Sequence, residues 1–362
     1  MSVVVEVPSG REALTEFVLF HDRVAMQRAA RWTAFLPLEL PFLMGESPFS
    51  HDRIVRPLIA REGGEIKARV VAVLDHAYQR HWNDRLGHVV MFEALPDSRD
   101  AVRALMDAAG EWLRGQGADA VRSGFGVLEM PFVMDDYVTL PPMVMRQNPA
   151  YYHALLKDAG FETEQGYVDY KIPVSEALVA QWESALEAAR RGGFRIAPLR
   201  DIAPSRRAGL IADLLNECFA RHFGWVPTTA DEQALLFGLF ETTGFLDTTV
   251  VAYRGDEAVG ECMIVPETSA LAALAPGRVL APEEKVNFLG IGVRETARGR
   301  GVNLAMAAYG FLELVRRGAR WLSYTLVLDD NWPSRRTAEK LGAHVCANYV
   351  CYRRRLTRGA AA

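Results

Sequence analysis

The chain has 362 residues, half of them hydrophobic, and a formal net charge of −4 with acidic and basic residues interspersed. That length accommodates two domains of ordinary size. That charge excludes a general nucleic-acid binder, though local basic patches remain open. The four cysteines, Cys218, Cys262, Cys346 and Cys351, form no CxxC pair and read as reduced thiols of a cytoplasmic protein. The first residues, Met1 to Glu6, lack the basic start and apolar core of a signal peptide. No stretch approaches the about 20 apolar residues that span a bilayer.

Val3 to Val7 reads as a strand, and Glu12 to Ala30 as a helix with Leu14, Phe17, Val18, His21, Val24 and Ala25 at helical spacing. An apolar stretch follows from Trp32 to Met44, where Pro37 and Pro41, with Pro48 beyond, argue against a continuous helix. It reads either as a buried crossing segment or as an apolar lip touching lipid or an acyl chain. Ile54–Ile59 and Ala68–Leu74 read as paired strands, followed by a strand from His88 to Leu95, a helix from Ser98 to Gly115 and a short strand from Asp119 to Arg122. Residues 123–147 are irregular and rich in Pro and Met. Asn148-Pro149 opens a helix from Ala150 to Ala159, and Tyr167–Ile172 is a last strand. His76, His81 and His88 lack ligand spacing and read as surface or core histidines, so no metal is expected.

Residues 173–193 form a connecting helix. Then come a strand (Phe194–Leu199), a helix (Arg206–Phe223), a loop holding His222 and Trp225, and a helix from Thr229 to Phe240. Thr248–Tyr253 and Ala258–Val265 form a hairpin around Arg254-Gly255-Asp256-Glu257. A loop marked by Pro276 and Pro282 leads to the apolar run Val286–Val293, the turn Arg298-Gly299-Arg300-Gly301, a helix to about Arg317, a strand from Trp321 to Leu328, and a short helix from Ser334 to Gly342. The chain closes on a strand, Tyr349–Arg355, and a basic tail that includes Arg358.

The turn at Arg298–Gly301 carries the chemistry. A helix N-terminus presents unpaired N–H groups and a positive dipole end to phosphate. Gly299 and Gly301 let the backbone approach a ligand closely, and Arg298 and Arg300 supply charge-assisted hydrogen bonds. No Gly-Lys-Ser/Thr follows, so a Walker A reading fails. Strand, Arg-x-x-Gly, helix, strand, Asn331, Ser334 and Leu341-Gly342 together resemble the acyl-CoA-binding core of the GNAT acyltransferase superfamily. The resemblance departs at Asn303, where the family has a small residue, and at Ala338, where many members place a tyrosine acting as general acid. It implies acyl-CoA as co-substrate, with pantetheine along Ile291-Gly292-Val293, pyrophosphate at Arg298, Gly299, Arg300, Gly301, Val302 and Asn303, and further contacts from Asn331 and Ser334. Gly290 and Gly292 mark either an open strand or a bulge.

The order of elements in residues 1–172 parallels that of the C-terminal part. The expected fold is therefore α/β with a mixed sheet, in two tandem GNAT-like domains. Residues 1–172 form a degenerate copy whose helix opens on Pro96-Asp97-Ser98-Arg99-Asp100, where carboxylates repel pyrophosphate. Residues 194–362 form the acyl-CoA-binding copy. Acyl transfer to an amine needs oxyanion donors and a base for an ammonium of pKa about 10. Glu261, in an apolar strand, is the first catalytic expectation, followed by Tyr324 and His222. The whole chain also resembles tandem-GNAT bacterial acyltransferases of the ceramide synthase-like group, through Leu36-Pro37, Phe92-Glu93, Asn148-Pro149, Tyr151-Tyr152, Leu155-Leu156 and Gly160-Phe161. That resemblance implies transfer of a long acyl chain to the amine of a lipid-like acceptor such as a sphingoid base, by a cytoplasmic protein lying on the inner membrane face. The alternatives are an acetyltransferase for a small polar amine and a non-catalytic acyl-CoA-binding protein.

Overall fold

The computed structural model describes residues 2–25, 32–271, 274 and 278–356. The first half runs β1 (Val3–Glu6), α1 (Gly10–Ala25), α2 (Leu36–Leu43), β2 (Arg53–Glu62), β3 (Glu65–Asp75), α3 (His76–Trp82), β4 (Leu86–Ala94), α4 (Arg99–Gly115), β5 (Ala120–Ser123), β6 (Phe132–Val133), α5 (Tyr152–Asp158) and β7 (Glu162–Pro173). Helix α6 (Glu176–Arg191) leads to β8 (Phe194–Pro198), α7 (Pro204–Cys218), α8 (Ala230–Phe240), α9 (Phe245–Thr248), β9 (Val250–Arg254), β10 (Glu257–Val265) and β11 (Phe288–Val293). Then follow α10 (Val302–Arg316), β12 (Trp321–Leu328), α11 (Trp332–Lys340) and β13 (His344–Arg355). The helix expected to reach Ala30, the loop mark Pro276 and the tail residue Arg358 extend into positions outside the described residues.

Among the described residues the strands form two sheets, ordered β1-β2-β3-β4-β5-β13-β7-β12, with β6 alongside β13, and β11-β10-β9-β8. The order shows an exchange. Strand β7, last of the first half, lies between two strands of the second half. It pairs Tyr167 through Pro173 with Leu328 through Trp321 of β12, and its other edge with β13. Strand β13, last of the second half, runs on to pair Tyr352 through Arg355 with Ser123 through Ala120 of β5. Each half thus completes the other's sheet, which removes two edges that would otherwise be open to pairing with other chains. Two main cores result. One packs α1 and α4 on β2–β4, and the other packs α6 and α10 on β9, β10 and β12, where Trp182 and Phe311 are fully buried.

Some elements differ from expectation for identifiable reasons. Residues 36–43 are helical despite two prolines. Pro37 sits in the first turn, where its missing N–H has no intrahelical partner anyway, while Pro41 lies inside a helix of only eight residues. Helix α5 starts at Tyr152, because Asn148 is spent elsewhere: its Oδ1 accepts from Val133 N (2.7 Å) and its Nδ2 donates to Val133 O (3.2 Å), clamping β6. Helix α3 forms after Asp75, whose carboxylate caps Tyr78 N. The three histidines are dispersed. His76 opens α3, His81 Nε2 meets Ala220 O at 2.7 Å, and His88 is buried edge-on against Tyr78. The register of β10 with β11 is unbroken at Gly290 and Gly292, and the irregularity lies instead between Ala258 and Gly260 of β10.

Candidate active site

Strands β11 and β12 run side by side yet share no backbone pairing. Their start is bridged by side chains. Asn287 Oδ1 accepts from Ser323 N (3.0 Å), and its Nδ2 donates to Ser323 O (3.1 Å). Thr325 Oγ1 accepts from Leu289 N (2.9 Å) and donates to Leu289 O (2.8 Å). The constant offset of the partners, 287 with 323 and 289 with 325, makes the two strands parallel. Inserted side chains hold them further apart than a ladder would. Beyond Leu289 no hydrogen bond joins them among the described residues, so the strands part from that vertex toward Val293 and Leu328. At Gly290, just past the vertex, a Cβ would find no atom within 4 Å. This is open space at the start of the cleft.

Helix α10 begins where β11 ends. Gly301, at φ +77°, is its N-cap, and Gly299 is also left-handed at +75°. The first-turn N–H groups have no intrahelical acceptor. Arg300 is exposed and makes no hydrogen bond or ion pair among the described residues. Arg298 instead folds back, with Nε to Val293 O at 3.0 Å and Nη2 to Cys218 O at 3.4 Å. Asn303 Nδ2 donates to Thr337 Oγ1 (2.9 Å), tying α10 to α11. Asn331 Oδ1 caps α11 by accepting from Ser334 N (3.3 Å), and Ser334 Oγ lies 3.0 Å from Tyr324 OH. Of the residues expected to hold acyl-CoA at this end, Gly299, Arg300, Gly301 and Val302 therefore keep unspent groups. Arg298, Asn303, Asn331 and Ser334 have their side chains engaged.

The expected catalytic residues make no hydrogen bond with one another among the described residues. Glu261 is fully buried on β10, opposite Gly292, and neither carboxylate oxygen makes a hydrogen bond. Burial pushes its carboxyl up to about 8; the amides of Gly292 and Met263 oppose this without reaching hydrogen-bond geometry. A Cβ on Gly292 would fall 2.8 Å from Glu261 Oε1 and from Cys218 Cβ, so glycine here makes room for the carboxyl beneath α7. Tyr324 points to the other face, within the core of α10 and α11, and burial raises its hydroxyl above the usual phenol range. His222 stands in the loop after α7. Its ring lies edge-on to Phe219, with Nδ1 3.2 Å from Phe223 O, and burial lowers its pKa so that it is neutral near pH 7.

A carboxylate that the sequence reading passed over, Asp169 of β7, is buried across β12 from the vertex. Its Oδ1 accepts from Leu326 N at 2.8 Å, and burial pushes its carboxyl up to about 7. The available signal was the one used for Glu261: a lone acid in an apolar strand, Tyr167-Val168-Asp169-Tyr170.

Two cavities adjoin this region. The larger, about 460 Å³, lies between the halves and is lined by Phe35 and Phe49 from one side and Phe240, Phe245, Met263 and Phe288 from the other. Its far end is charged. There His21 Nδ1 meets Glu93 Oε1 (2.8 Å), Tyr152 OH donates to Glu93 Oε2 (2.6 Å), and Arg146 pairs with Glu129. The imidazolium and Arg146 hold Glu93 at about 2 despite its burial. These groups close off the corresponding part of β4. Met91 N donates to Glu129, Arg146 donates to Phe92 O, and Ala94 N donates to Tyr152 OH (2.9 Å). The backbone that a donor amide would need in the first half is thus already satisfied. The smaller cavity, about 120 Å³, is lined by Asp169, Lys171, Ser323 and Cys346 among others.

No family model matches the chain. Among curated proteins, Protein YghO of Escherichia coli (strain K12) is 21% identical over 197 residues, which is 54% of this chain and 50% of that protein. The match thus spans half the length of that relative. Among solved structures, a tandem GNAT protein from the clavulanic acid biosynthesis pathway overlays with a TM-score of 0.58 at 13% identity, covering 99% of both chains. The GCN5-related glucosamine N-acetyltransferase region of a fungal multi-domain GH3 β-N-acetylglucosaminidase gives 0.59 at 16% identity, over 97% of this chain and 38% of that one. A GCN5-related N-acetyltransferase from Sphaerobacter thermophilus gives 0.55 at 15% identity, over 99% and 96%. Identities this low speak to the fold alone. On that measure this mixed α/β chain, overlaid along its whole length by a tandem GNAT protein, has the tandem GNAT fold.

Proposed function

We propose that this chain is an acyl-CoA-dependent N-acyltransferase whose donor site is the cleft between β11 and β12. The observation that carries the reading is the vertex at Leu289 and Thr325, from which two parallel strands part toward the N-terminus of α10. A parted strand offers unpaired amide and carbonyl groups that match the amides of pantetheine. The first turn of α10, with Arg300 beside it, offers N–H groups and charge to the pyrophosphate. The first half, with β4 satisfied by Glu129, Arg146 and Tyr152, binds no acyl-CoA on this account and serves to wall the acceptor side.

The acyl chain is long and the acceptor lipid-like. The support is the apolar cavity, whose size falls in the about 300–1,000 Å³ range of ligand pockets. Its second-half lining includes Met263 and Phe288, the latter two residues from Gly290. A second reading, acetyl transfer to a small polar amine, draws on the charged end of the same cavity, where His21, Glu93, Glu129 and Arg146 meet. No helix among the described residues is long and apolar enough to cross a membrane. An apolar substrate would on this reading be taken from a membrane surface.

The test is thiol release from acetyl-CoA and palmitoyl-CoA, each with and without a long-chain amino-alcohol, with the amide product identified by mass spectrometry. Release confined to the long donor with the long-chain base is expected. Turnover of acetyl-CoA with a small amine would replace the first reading with the second. Binding without release in every combination would leave a non-catalytic acyl-CoA-binding protein.

A further inference from the structure

We infer that Asp169, carried by the last strand of the first half, is the group that takes the proton from the acceptor amine in the second half's cleft. The inference rests on the acyltransfer reading above. It stands on geometry at one point of the sheet, where β7 lies between β12 and β13. The β12 pairing jumps from Tyr324↔Tyr170 to Val327↔Val168, so Thr325 and Leu326 stand against the single residue Asp169. The β13 pairing also shifts between Val345 and Ala347, leaving Cys346 extra beside the same residue. A bulge in each neighbouring strand, both facing one aspartate, opens the sheet around its side chain.

The bulge on β12 places Leu326 at φ +50°, a conformation that a non-glycine residue seldom adopts without support. The support is Asp169 Oδ1, which accepts the Leu326 N–H at 2.8 Å. Leu326 directly follows Thr325, whose hydroxyl bridges to Leu289 and so forms the vertex of the donor cleft. The carboxylate is therefore level with the vertex along β12, on the β7 side of that strand. Oδ2 makes no hydrogen bond among the described residues, and the residue lines the smaller cavity. Glu261, Tyr324 and His222 line neither of the two cavities described above.

The charged and titratable groups around Asp169 are Lys171 on its own strand, Cys346 and Tyr349 on β13, and Asp136 and Arg146 from the segment that covers the cavity. None makes a hydrogen bond or ion pair with it, and burial holds its carboxyl at about 7, where it can accept a proton at neutral pH. The step balances. The ammonium gives one proton to the carboxylate, and the amine attacks the thioester carbonyl. The C–S bond breaks as the C–N bond forms, and the thiolate leaves with the amine's second proton. The carboxylic acid then returns its proton to solvent.

Asp169→Asn keeps an oxygen for the Leu326 N–H but cannot take a proton. It is expected to bind palmitoyl-CoA as the wild type does and to leave KM for the donor within about threefold, while kcat falls by at least 100-fold and the acid limb of the kcat profile disappears. A folded Asp169→Asn protein with kcat within threefold of wild type at every pH overturns the inference. Should that variant not fold, the pH profile of Glu261→Gln decides. An acid limb retained near pH 7 supports Asp169, and a limb lost assigns the proton to Glu261. Absence of thiol release by the wild type with every donor and amine would instead remove the acyltransfer reading, and this inference with it.

Discussion

Thr325→Val takes one hydroxyl from the point where β11 and β12 part. Valine nearly matches threonine in shape, so the change is chemical. It leaves Leu289 N and Leu289 O, which now use Thr325 Oγ1 at 2.9 and 2.8 Å, without partners. Leu289 is only 2% exposed, so water cannot replace them. A buried backbone group stripped of its partner costs about 1–3 kcal/mol. Two such groups, less the small gain of a methyl in place of a hydroxyl, give a loss of roughly 2–4 kcal/mol. Thr325→Ser keeps the hydroxyl and loses one methyl, for about 1 kcal/mol. Urea unfolding followed by tryptophan fluorescence compares the three proteins, with Trp321 reporting from the start of β12. Valine is expected to cost clearly more than serine and to raise KM for acyl-CoA. If valine costs no more than serine, the strands can close and pair directly, and the vertex is not held open by these side chains.

Glu261 keeps its proton up to about 8 in the folded chain, whereas the unfolded chain releases it in the ordinary carboxylate range. The folded state therefore binds more protons over that interval, and stability falls as pH rises through it. Glu261→Gln removes that share, so its stability relative to wild type should grow from pH 5 to about 8 and then level off in urea midpoints; a difference independent of pH would contradict the burial. Gly292→Ala places a Cβ within 2.8 Å of Glu261 Oε1 and Cys218 Cβ and should destabilise by about 1–3 kcal/mol. Gly290→Ala has no neighbour within 4 Å and should unfold like wild type yet bind acyl-CoA more weakly in titration. Residues 194–362 expressed alone lose β7 from between β12 and β13 and should aggregate, whereas co-expression with residues 1–193 should give a soluble pair; a soluble monomeric fragment would argue against the strand exchange.

Most elements were legible because their signals are local. The capping box at Thr229 and Glu232, with both of its hydrogen bonds formed, opens α8 where the sequence places it. The period of Leu304, Ala305, Ala308, Phe311, Leu312 and Val315 gives α10, and all but Leu304 and Val315 are buried. What was not legible depends on partners distant in sequence. Alternation in β7 and β13 shows that both are strands but not which edges they join, so the exchange is invisible before folding. Asn148 reads as a helix opener until β6, fifteen positions earlier, takes both ends of its amide. Pro41 argues against the helix that forms around it, and tertiary burial of Phe42 and Leu43 outweighs that local cost. Near the site, the left-handed turn at Gly299 and Gly301 was legible from spacing. The engagement of Asn303 with Thr337 and of Ser334 with Tyr324 depends on how α11 packs. Asp169 carries its meaning only through the bulges opposite it.

The most direct test of a single donor site in the second half is calorimetric titration of the full chain with a non-hydrolysable palmitoyl-CoA thioether, alongside Arg300→Glu. One site per chain is expected, with affinity sharply reduced in the variant at unchanged unfolding behaviour, because Arg300 is exposed beside the first turn of α10 and has no hydrogen-bond or ion-pair partner among the described residues. Two sites per chain, or equal affinity in wild type and variant, would contradict the placement of the pyrophosphate and with it the account of the cleft.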